Sequence, residues 1–342
     1  MTADKPSGLV PKLRFPEFRG DPNWSAPRLA DLYSFKRTNT LSREKLNYET
    51  GTIRNIHYGD IHTKFNPLFR VDNEQVPYVN PDASANGLDE DAFCKEGDIV
   101  LADASEDLDD VGKAIEVVSL DGEQVVAGTH TILATRRGRV PVVGFAGQLF
   151  QSAAVRAGIK KEAQGAKVYG ISAKRISTIP IPVPPTEDEQ ARIADCLGSL
   201  DDLIAAAVRR LEALRQHKKG LMQQLFPEPG EVQPILRFPE FRSDPTWLVP
   251  QLSDLYRFKR TNTLSRDQLN YEIGTIRNIH YGDIHTKFKS LSRVSEEHVP
   301  YVNPDASANG FDDDAFCEEG DIVLTDASED LDDVGKAIEV FS

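Results

Sequence analysis

The feature that most constrains this chain is that it contains one stretch of itself twice. Leu13–Ser119 aligns without a gap to Leu236–Ser342 at a constant offset of 223, with roughly four fifths of the positions identical. The segments GTIRNIHYGDIHTKF (Gly51–Phe65 and Gly274–Phe288), VPYVNPDASANG (Val76–Gly87 and Val299–Gly310) and DASEDLDDVGKAIEV (Asp103–Val117 and Asp326–Val340) match letter for letter. Drifting solenoid repeats rarely agree so closely. The second copy stops at the counterpart of Ser119, and the residues beyond Ser119 in the first copy have no second version. Ile338-Glu339-Val340-Phe341 reads as an apolar strand cut off without a turn. The expectation is a shortened second domain, left by frameshift or recombination of a longer gene, rather than a natural tandem of this length.

The segment without a counterpart is also where the positive charge lies. Net charge is −14, yet Leu120–Thr186 holds nine Lys/Arg against three acids, about +6, which leaves roughly −20 elsewhere. A nucleic-acid binder needs cations only where it meets phosphates, so the acidic sum does not exclude that class. The longest apolar stretches, such as Val140–Phe145 with Pro141 and Gly144 inside it, fall far short of the ~20 residues of a membrane span. The polar start Met-Thr-Ala-Asp-Lys-Pro-Ser-Gly lacks a signal-peptide core, and Cys94, Cys196 and Cys317 form no C-x-x-C pair. The expected compartment is the cytoplasm, with no membrane partner.

Each copy reads as mixed α/β. Ala26–Phe35 has helical or extended character around Leu29 and Leu32. Thr52–Ile56 and Asp98–Ala102 read as short strands, with turn signals at Tyr58-Gly59-Asp60 and Glu96-Gly97-Asp98. Gln124–Val126, Thr131–Ala134 and Val140–Phe145 are expected to continue a sheet, with Arg136–Arg139 as a basic hairpin. Ile179–Pro185 must be extended, because its alternating prolines exclude a helix.

A long helix comes next. Thr186 and Glu189 form an S/T-x-x-E capping box, and Glu187 and Asp188 suit the positive end of the dipole. Apolar residues then recur at spacings of four and three: Ile193, Leu197, Leu200, Ile204, Ala207, Leu211, Leu214, Leu221 and Leu225, broken in register by Lys218. That is a coiled-coil seam over more than four heptads. Pro227 and Pro229 end it. A narrow stripe on a helix of ~55–60 Å needs a partner helix to be stable in water. The domain plan is therefore a first α/β (α+β) globular domain over 1–185, the helix over 186–226, a linker over 227–235, and a partial second copy over 236–342.

The run from Gly165 to Phe226 resembles the end of a target-recognition domain and the conserved helix after it in type I restriction–modification specificity subunits. The I-P-x-P-P-x-x-E-Q segment (Ile181, Pro182, Pro184, Pro185, Glu189, Gln190) and the K-K-G-L segment (Lys218–Leu221) carry most of the match. Ile56–Thr63 and Glu96–Leu101 are similar to recurrent pieces of those domains. The resemblance implies a non-catalytic DNA reader. Two recognition domains and two antiparallel helices would measure a split site in double-stranded DNA. Modification (methyltransferase) and restriction/translocase subunits would be its partners, and methyl donor, ATP and magnesium would belong to them, with no cofactor in this chain. Lacking a second helix, two copies would pair through the Ile193–Leu225 seam and read a palindromic split site; a half-subunit is the other partner for that helix.

Phosphate contacts need cations, and base reading needs polar side chains at groove edges. The candidate DNA-binding residues are Lys36, Arg37, Thr38, Asn39, Arg54, His57, His62, Lys64, His130, Arg136, Arg137, Arg139, Lys160, Lys161, Lys167 and Tyr169, with Thr131 beside His130. Two rival readings stand beside this one. His57-x-x-Asp60-x-His62 has the residue types of a metal site, which would make a metal-dependent nuclease; the turn at its centre and the lack of a further ligand argue against it. Alternatively, the chain is a remnant that occupies modification subunits unproductively. Asn80-Pro81-Asp82 lacks the final pair of an adenine-methyltransferase N-P-P-aromatic motif and reads as a turn; no Walker motif is present. The acidic run Asp103–Asp110 reads as a solvated face; the alternative is that it repels DNA from the wrong surface.

Overall fold

The computed structural model describes residues 8–84, 88–307 and 310–341. The polar N-terminal reading, the ends of both NPDASANG segments and Ser342 lie outside these. The chain divides into two compact units, Met1–Lys219 and Gly220–Ser342.

The first unit runs α1 (Leu29–Leu32), β1 (Tyr33–Lys36), β2 (Leu46–Asn47), β3 (Ile53–Ile56), α2 (Tyr58–Thr63), β4 (Leu68–Arg70), β5 (Tyr78–Val79), α3 (Pro81–Ser84), β6 (Ile99–Ala102), β7 (Ala104–Ser105), β8 (Ala114–Ser119), β9 (Gln124–Ala127), β10 (Thr131–Arg136), α4 (Phe145–Gln151), α5 (Ala153–Glu162), β11 (Tyr169–Gly170), α6 (Ala173–Ile176) and most of α7 (Glu187–Leu225), whose last turn and a half belongs to the second unit. Five strands form a mixed sheet in the order β1-β10-β6-β8-β4, and four form a second in the order β2-β5-β3-β9. Side chains alternate across the five-stranded sheet. On β6, Ile99 and Leu101 enter one core while Val100 and Ala102 enter another. On β10, Ile132 and Ala134 face the first core and Leu133 the second. Both faces are covered, which is why these strands read as continuous apolar runs rather than as alternation.

The first core combines Leu29, Tyr33, Ile99, Leu101, Val111 and Ala114, all within the repeated stretch, with apolar residues from Ile132 to Ala194 supplied by β10, α4, α5, α6 and the root of α7. Extended backbone through Ile179–Val183 bridges back to Ser25 and Arg28, as its prolines require.

Four local expectations need correction; one is that Tyr58-Gly59-Asp60 is not a turn but the start of α2. Val140–Phe145 is not a strand, so Arg136–Arg139 is not a hairpin. Pro141 has no N–H to give to a ladder, Gly144 takes φ 92° in the left-handed region, and Phe145 opens α4. The cap of α7 is only half a capping box. Thr186 Oγ1 accepts from the Glu189 N–H at 3.2 Å, but the Glu189 carboxylate turns away to other donors. Asn80-Pro81-Asp82 starts the single turn of α3 rather than an open turn.

The second unit contains α8 (Leu252–Leu255), β12 (Leu269–Asn270), α9 (Tyr281–Thr286), β13 (Leu291–Arg293), β14 (Tyr301–Val302), α10 (Pro304–Ser307), β15 (Ile322–Leu324) and β16 (Ala337–Phe341). Its sheets are β13-β16-β15 and β12-β14. A small core survives around Ile284, Phe288, Val299 and Ile338, equivalent to part of the second core of unit one. The counterpart of the first core is open: Leu252 is 59% exposed where Leu29 is 1%.

Candidate nucleic-acid interface

β10 organises the basic residues. It pairs antiparallel with β1 (Tyr33↔Arg136, Lys36↔Leu133) and with β6 (Thr131↔Ala102). Its ends are separated by roughly 17 Å at ~3.3 Å per residue, and each end carries its own group.

At the Thr131 end the chain enters through His130, whose φ of 54° is left-handed. The His130 carbonyl accepts from Asp103 N–H at 3.0 Å, and its Nδ1 lies 3.4 Å from Asp103 Oδ1. Tyr58 sits among three imidazoles, with ring centroids 4.7 Å from His57, 6.0 Å from His62 and 5.3 Å from His130. His62 Nε2 meets the Ala104 carbonyl at 3.1 Å. β7 then pairs with β11 (Tyr169↔Ser105), which brings Tyr169 and the neighbouring Lys167 to the same end. The chain enters that strand from Lys160 and Lys161 at the end of α5, closed by Gln164 and Gly170 bonding each other. Thr38 Oγ1 donates to the Thr131 carbonyl at 3.2 Å, which places Arg37 there too. Lys160 is paired with Asp109, whereas Arg37, Lys161 and Lys167 have no ion pair among the described residues. Burial pushes the Asp103 carboxyl upward, with His130 opposing.

At the Arg136 end, guanidinium groups hold the loop. Arg136 donates to the carbonyls of Arg139 and Pro141 at 3.2 and 2.9 Å, and Arg137 to that of Tyr33 at 3.1 Å. Arg139 is exposed and has no ion pair among the described residues.

Other candidates have structural jobs. Asn39 is buried, donating to Asn55 Oδ1 and the Ala127 carbonyl at 2.7 and 2.8 Å. Arg54 is engaged by Glu123, the Val76 carbonyl and Tyr78, over whose ring it stacks at 4.2 Å. Lys36 pairs with Asp91, and Lys64 with Tyr48 and Asp60.

The triad His57, Asp60, His62 does not assemble as a metal site. His57 caps α2, its Nδ1 accepting from Gly59 N–H at 3.2 Å. Burial, and then Arg43, hold that imidazole below its ordinary pKa, so it is a neutral acceptor. Burial alone would raise Asp60; hydrogen bonds from Arg43 (2.7 and 2.9 Å) and Lys64 win and hold it ionised below the usual range. His62 faces a carbonyl. No group of three metal-ligating side chains occurs among the described residues.

Sequence reading missed Arg43 and the central place of Tyr58; the one available signal was a tyrosine interleaved between the two histidines. It also missed how the helix is rooted. Glu189 accepts from Arg14 Nε and Nη2 at 2.7 and 2.6 Å and from Trp24 Nε1 at 3.0 Å. Gln190 accepts from Val142 N–H at 3.0 Å and donates to the Pro184 carbonyl at 3.1 Å. Both side chains are fully buried. Ile193 and Ala194 pack on the first core, and from Ser199 to Lys219 every residue is exposed. Leu197, Leu200, Ile204, Leu211 and Leu214 thus present an uncovered stripe, with Ala207 in register; Leu221 and Leu225 are half-buried. No helix among the described residues is long and apolar enough to cross a membrane.

Comparison with known proteins covers this same ground. Over 68 residues the chain is 37% identical to the type I restriction enzyme MjaVIII specificity subunit of Methanocaldococcus jannaschii, which is 20% of this chain and 16% of the relative. The crystal structure of the type I restriction–modification system S subunit from M. genitalium superposes with a TM-score of 0.52 at 14% identity, covering 97% of this chain and 73% of that one. The HsdS subunit of Thermoanaerobacter tengcongensis gives a TM-score of 0.36 at 16% identity over 59% of this chain and 42% of that one. Residues 23–216, from Trp24 beside the helix root to the exposed rod, match the family described as the type I restriction modification DNA specificity domain, and the chain belongs to that family.

Proposed function

We propose that this protein is the non-catalytic DNA-recognition subunit of a type I restriction–modification complex, with unit one as reader and α7 as spacer. The observation that carries the reading is the bare stripe in the middle of α7: from Leu200 to Leu214 the apolar seam is exposed throughout. Each seam leucine fully buried against a second helix would contribute roughly 1.5–3 kcal/mol. A second copy is the simplest source of that helix, and twofold pairing gives two identical readers and a palindromic split site. Methyltransferase and restriction subunits would supply the chemistry, together with methyl donor, ATP and magnesium.

Within unit one, the Thr131 end of β10 fits a DNA contact. Arg37, Lys161 and Lys167 offer cationic groups for phosphates, and Tyr58, His130 and Tyr169 present rings and polar edges beside them. Arg139 marks a second contact near the helix root. Asn39, Arg54 and His57 would act by holding this surface in place.

The test is mass measurement by light scattering together with genome methylation mapping. A dimer in the native protein, monomers for Leu200→Asp/Leu211→Asp, and a gene-dependent palindromic split methylation motif are expected. A stable monomer at micromolar concentration, with no gene-dependent methylation, would overturn the reading.

A further inference from the structure

We propose that Tyr48, Arg43 and Lys64 form a phosphate grip on unit one, with the Tyr48 hydroxyl donating to a phosphate oxygen of duplex DNA. The inference rests on the DNA-reading function and adds to it a contact that the sequence did not announce.

The grip is assembled on one buried carboxylate. Asp60 holds Arg43 Nη1 and Nη2 at 2.7 and 2.9 Å, and Lys64 Nζ lies 3.1 Å from its Oδ1. Two cations are thereby brought side by side, with one of their charges neutralised and one left over. Tyr48 stands against them. β2 ends at Asn47, whose Oδ1 accepts from the Glu49 and Thr50 N–H groups at 2.8 Å each. Its Nδ2 donates to the Thr50 carbonyl and Asn80 Oδ1 at 3.0 and 2.8 Å. That knot pins the loop with Tyr48 52% exposed. The Tyr48 oxygen accepts from Lys64 Nζ at 3.0 Å and Arg43 Nη1 at 3.4 Å, and Nζ sits 5.3 Å from the ring centroid. The hydrogen bonds to Tyr48 and then Asp60 hold the Lys64 ammonium above the ordinary lysine range, so it stays a cation at neutral pH.

What remains uncommitted is all donor. Both lone pairs of the Tyr48 oxygen face cations, and its hydroxyl proton has no acceptor among the described residues; neither has the third proton of Lys64. Cationic donors on that oxygen polarise the phenol and strengthen it as a donor. Donors with a net positive charge and no spare acceptor suit a phosphate, which brings negative charge and several acceptor oxygens. A base edge, mixing donors with acceptors, suits them less. The position fits as well. Arg43 Nη2 lies 3.4 Å from His57 Nδ1, and the His57 ring is 4.7 Å from Tyr58, itself 5.3 Å from His130. The grip therefore continues the surface at the Thr131 end of β10. Pairing with Asp60 braces Lys64 without using it up.

Unit two carries the same assembly. Arg266 meets Asp283 at 2.7 and 2.9 Å, Lys287 Nζ donates to the Tyr271 hydroxyl at 2.9 Å, and Asn270 Oδ1 pins the loop. Variants are therefore made in both copies, so that neither grip stands in for the other.

The test is duplex-DNA binding by the full chain across a salt series, with melting temperatures read alongside. Tyr48→Phe/Tyr271→Phe removes only hydroxyls and is expected to weaken binding roughly tenfold or more, as for a lost hydrogen bond to a charged group, with the salt slope unchanged. Lys64→Gln/Lys287→Gln should flatten the slope by about one unit for each grip in contact, and Lys64→Arg/Lys287→Arg should keep it. The arginine pair preserves the charge on Asp60, so a flattened slope confined to the glutamine pair, at an unchanged melting temperature, reads as a lost phosphate contact. Native affinity in the phenylalanine pair together with a native slope in the glutamine pair overturns the grip, while binding by the native chain leaves the DNA reading standing. A native chain that binds no duplex overturns both.

Discussion

The letter-for-letter stretch GTIRNIHYGDIHTKF adopts two structures in one molecule. In unit one its Ile53–Ile56 is β3, bridged to β5 at Arg54↔Tyr78 and laddered in parallel to β9; in unit two Ile276–Ile279 keeps the equivalent bridge, Arg277↔Tyr301, and has no parallel partner among the described residues. The next helix forms in both. His57 and His280 each cap it from Nδ1, and Asp60 and Asp283 are held by Arg43 and Arg266 at identical distances of 2.7 and 2.9 Å. All of those partners lie inside the repeat. Helix α2 is therefore a local product of its sequence, whereas β3 is a product of residues some seventy positions further on. Strand structure depends on pairing and burial, not on propensity alone.

The largest expected separation between the units comes from truncating one equivalent leucine in each. Leu29→Ala is expected to cost unit one about 2–5 kcal/mol, and Leu252→Ala to stay within about 0.5 kcal/mol. Chemical denaturation of each variant measures both; equal losses would mean that unit two has a closed core after all. Next in size is Asn39→Ala, which leaves the buried Asn55 Oδ1 without its donor, while the Ala127 carbonyl keeps the backbone N–H of residue 39, and should cost about 1–3 kcal/mol. Its counterpart Asn262 accepts from Asn278 at 3.0 Å in an open setting, so Asn262→Ala should cost less.

A pH titration probes a contact that unit one has and unit two lacks. Burial lifts Glu116 from its ordinary 4.5 to about 7, with the Gly147 and Gly144 N–H groups opposing. The folded state therefore keeps a proton that the unfolded chain releases. This contribution is complete below pH 4.5 and is lost as pH rises through 7. Melting temperature followed across that window should fall less steeply in Glu116→Gln than in the native chain; an unchanged slope would remove Glu116 as its source. The smallest stability effects belong to the surface cations. Arg139→Ala and Lys167→Ala should leave stability within about 0.5 kcal/mol, yet each should reduce the salt dependence of DNA binding by about one unit of slope. A variant that binds with the native salt slope would remove its cation from the interface.

Much of this architecture was legible in the sequence because its causes are local. Thr186, the acidic first turn and the 4-3 spacing give α7 its start and its face; the prolines of Ile179–Pro185 dictate extended backbone. The basic segment was legible as charge but not as geometry. Only the β1-β10-β6 order shows that Arg136 and His130 sit at opposite ends of one strand, and that order is set by contacts across some thirty to a hundred residues. Asn39 and Arg54 looked like base readers because nothing in their own neighbourhood announces Ala127 or Glu123. Val140–Phe145 misled for a related reason: its apolar residues belong in the core, but Pro141 and Gly144 bring them there through a turn and a helix.

The two buried side chains at the start of α7 also act as a gimbal lock. The rod is ~58 Å long at 1.5 Å per residue over its 39 residues. A tilt of about five degrees about Glu189 and Gln190 would swing the far tip by ~5 Å, more than the ~3.4 Å between successive base pairs. The Arg14, Trp24, Val142 and Pro184 contacts thus fix the direction in which the helix leaves the first core, and under the proposed spacer role softening them is expected to loosen site spacing while every proposed DNA-contact residue stays unchanged.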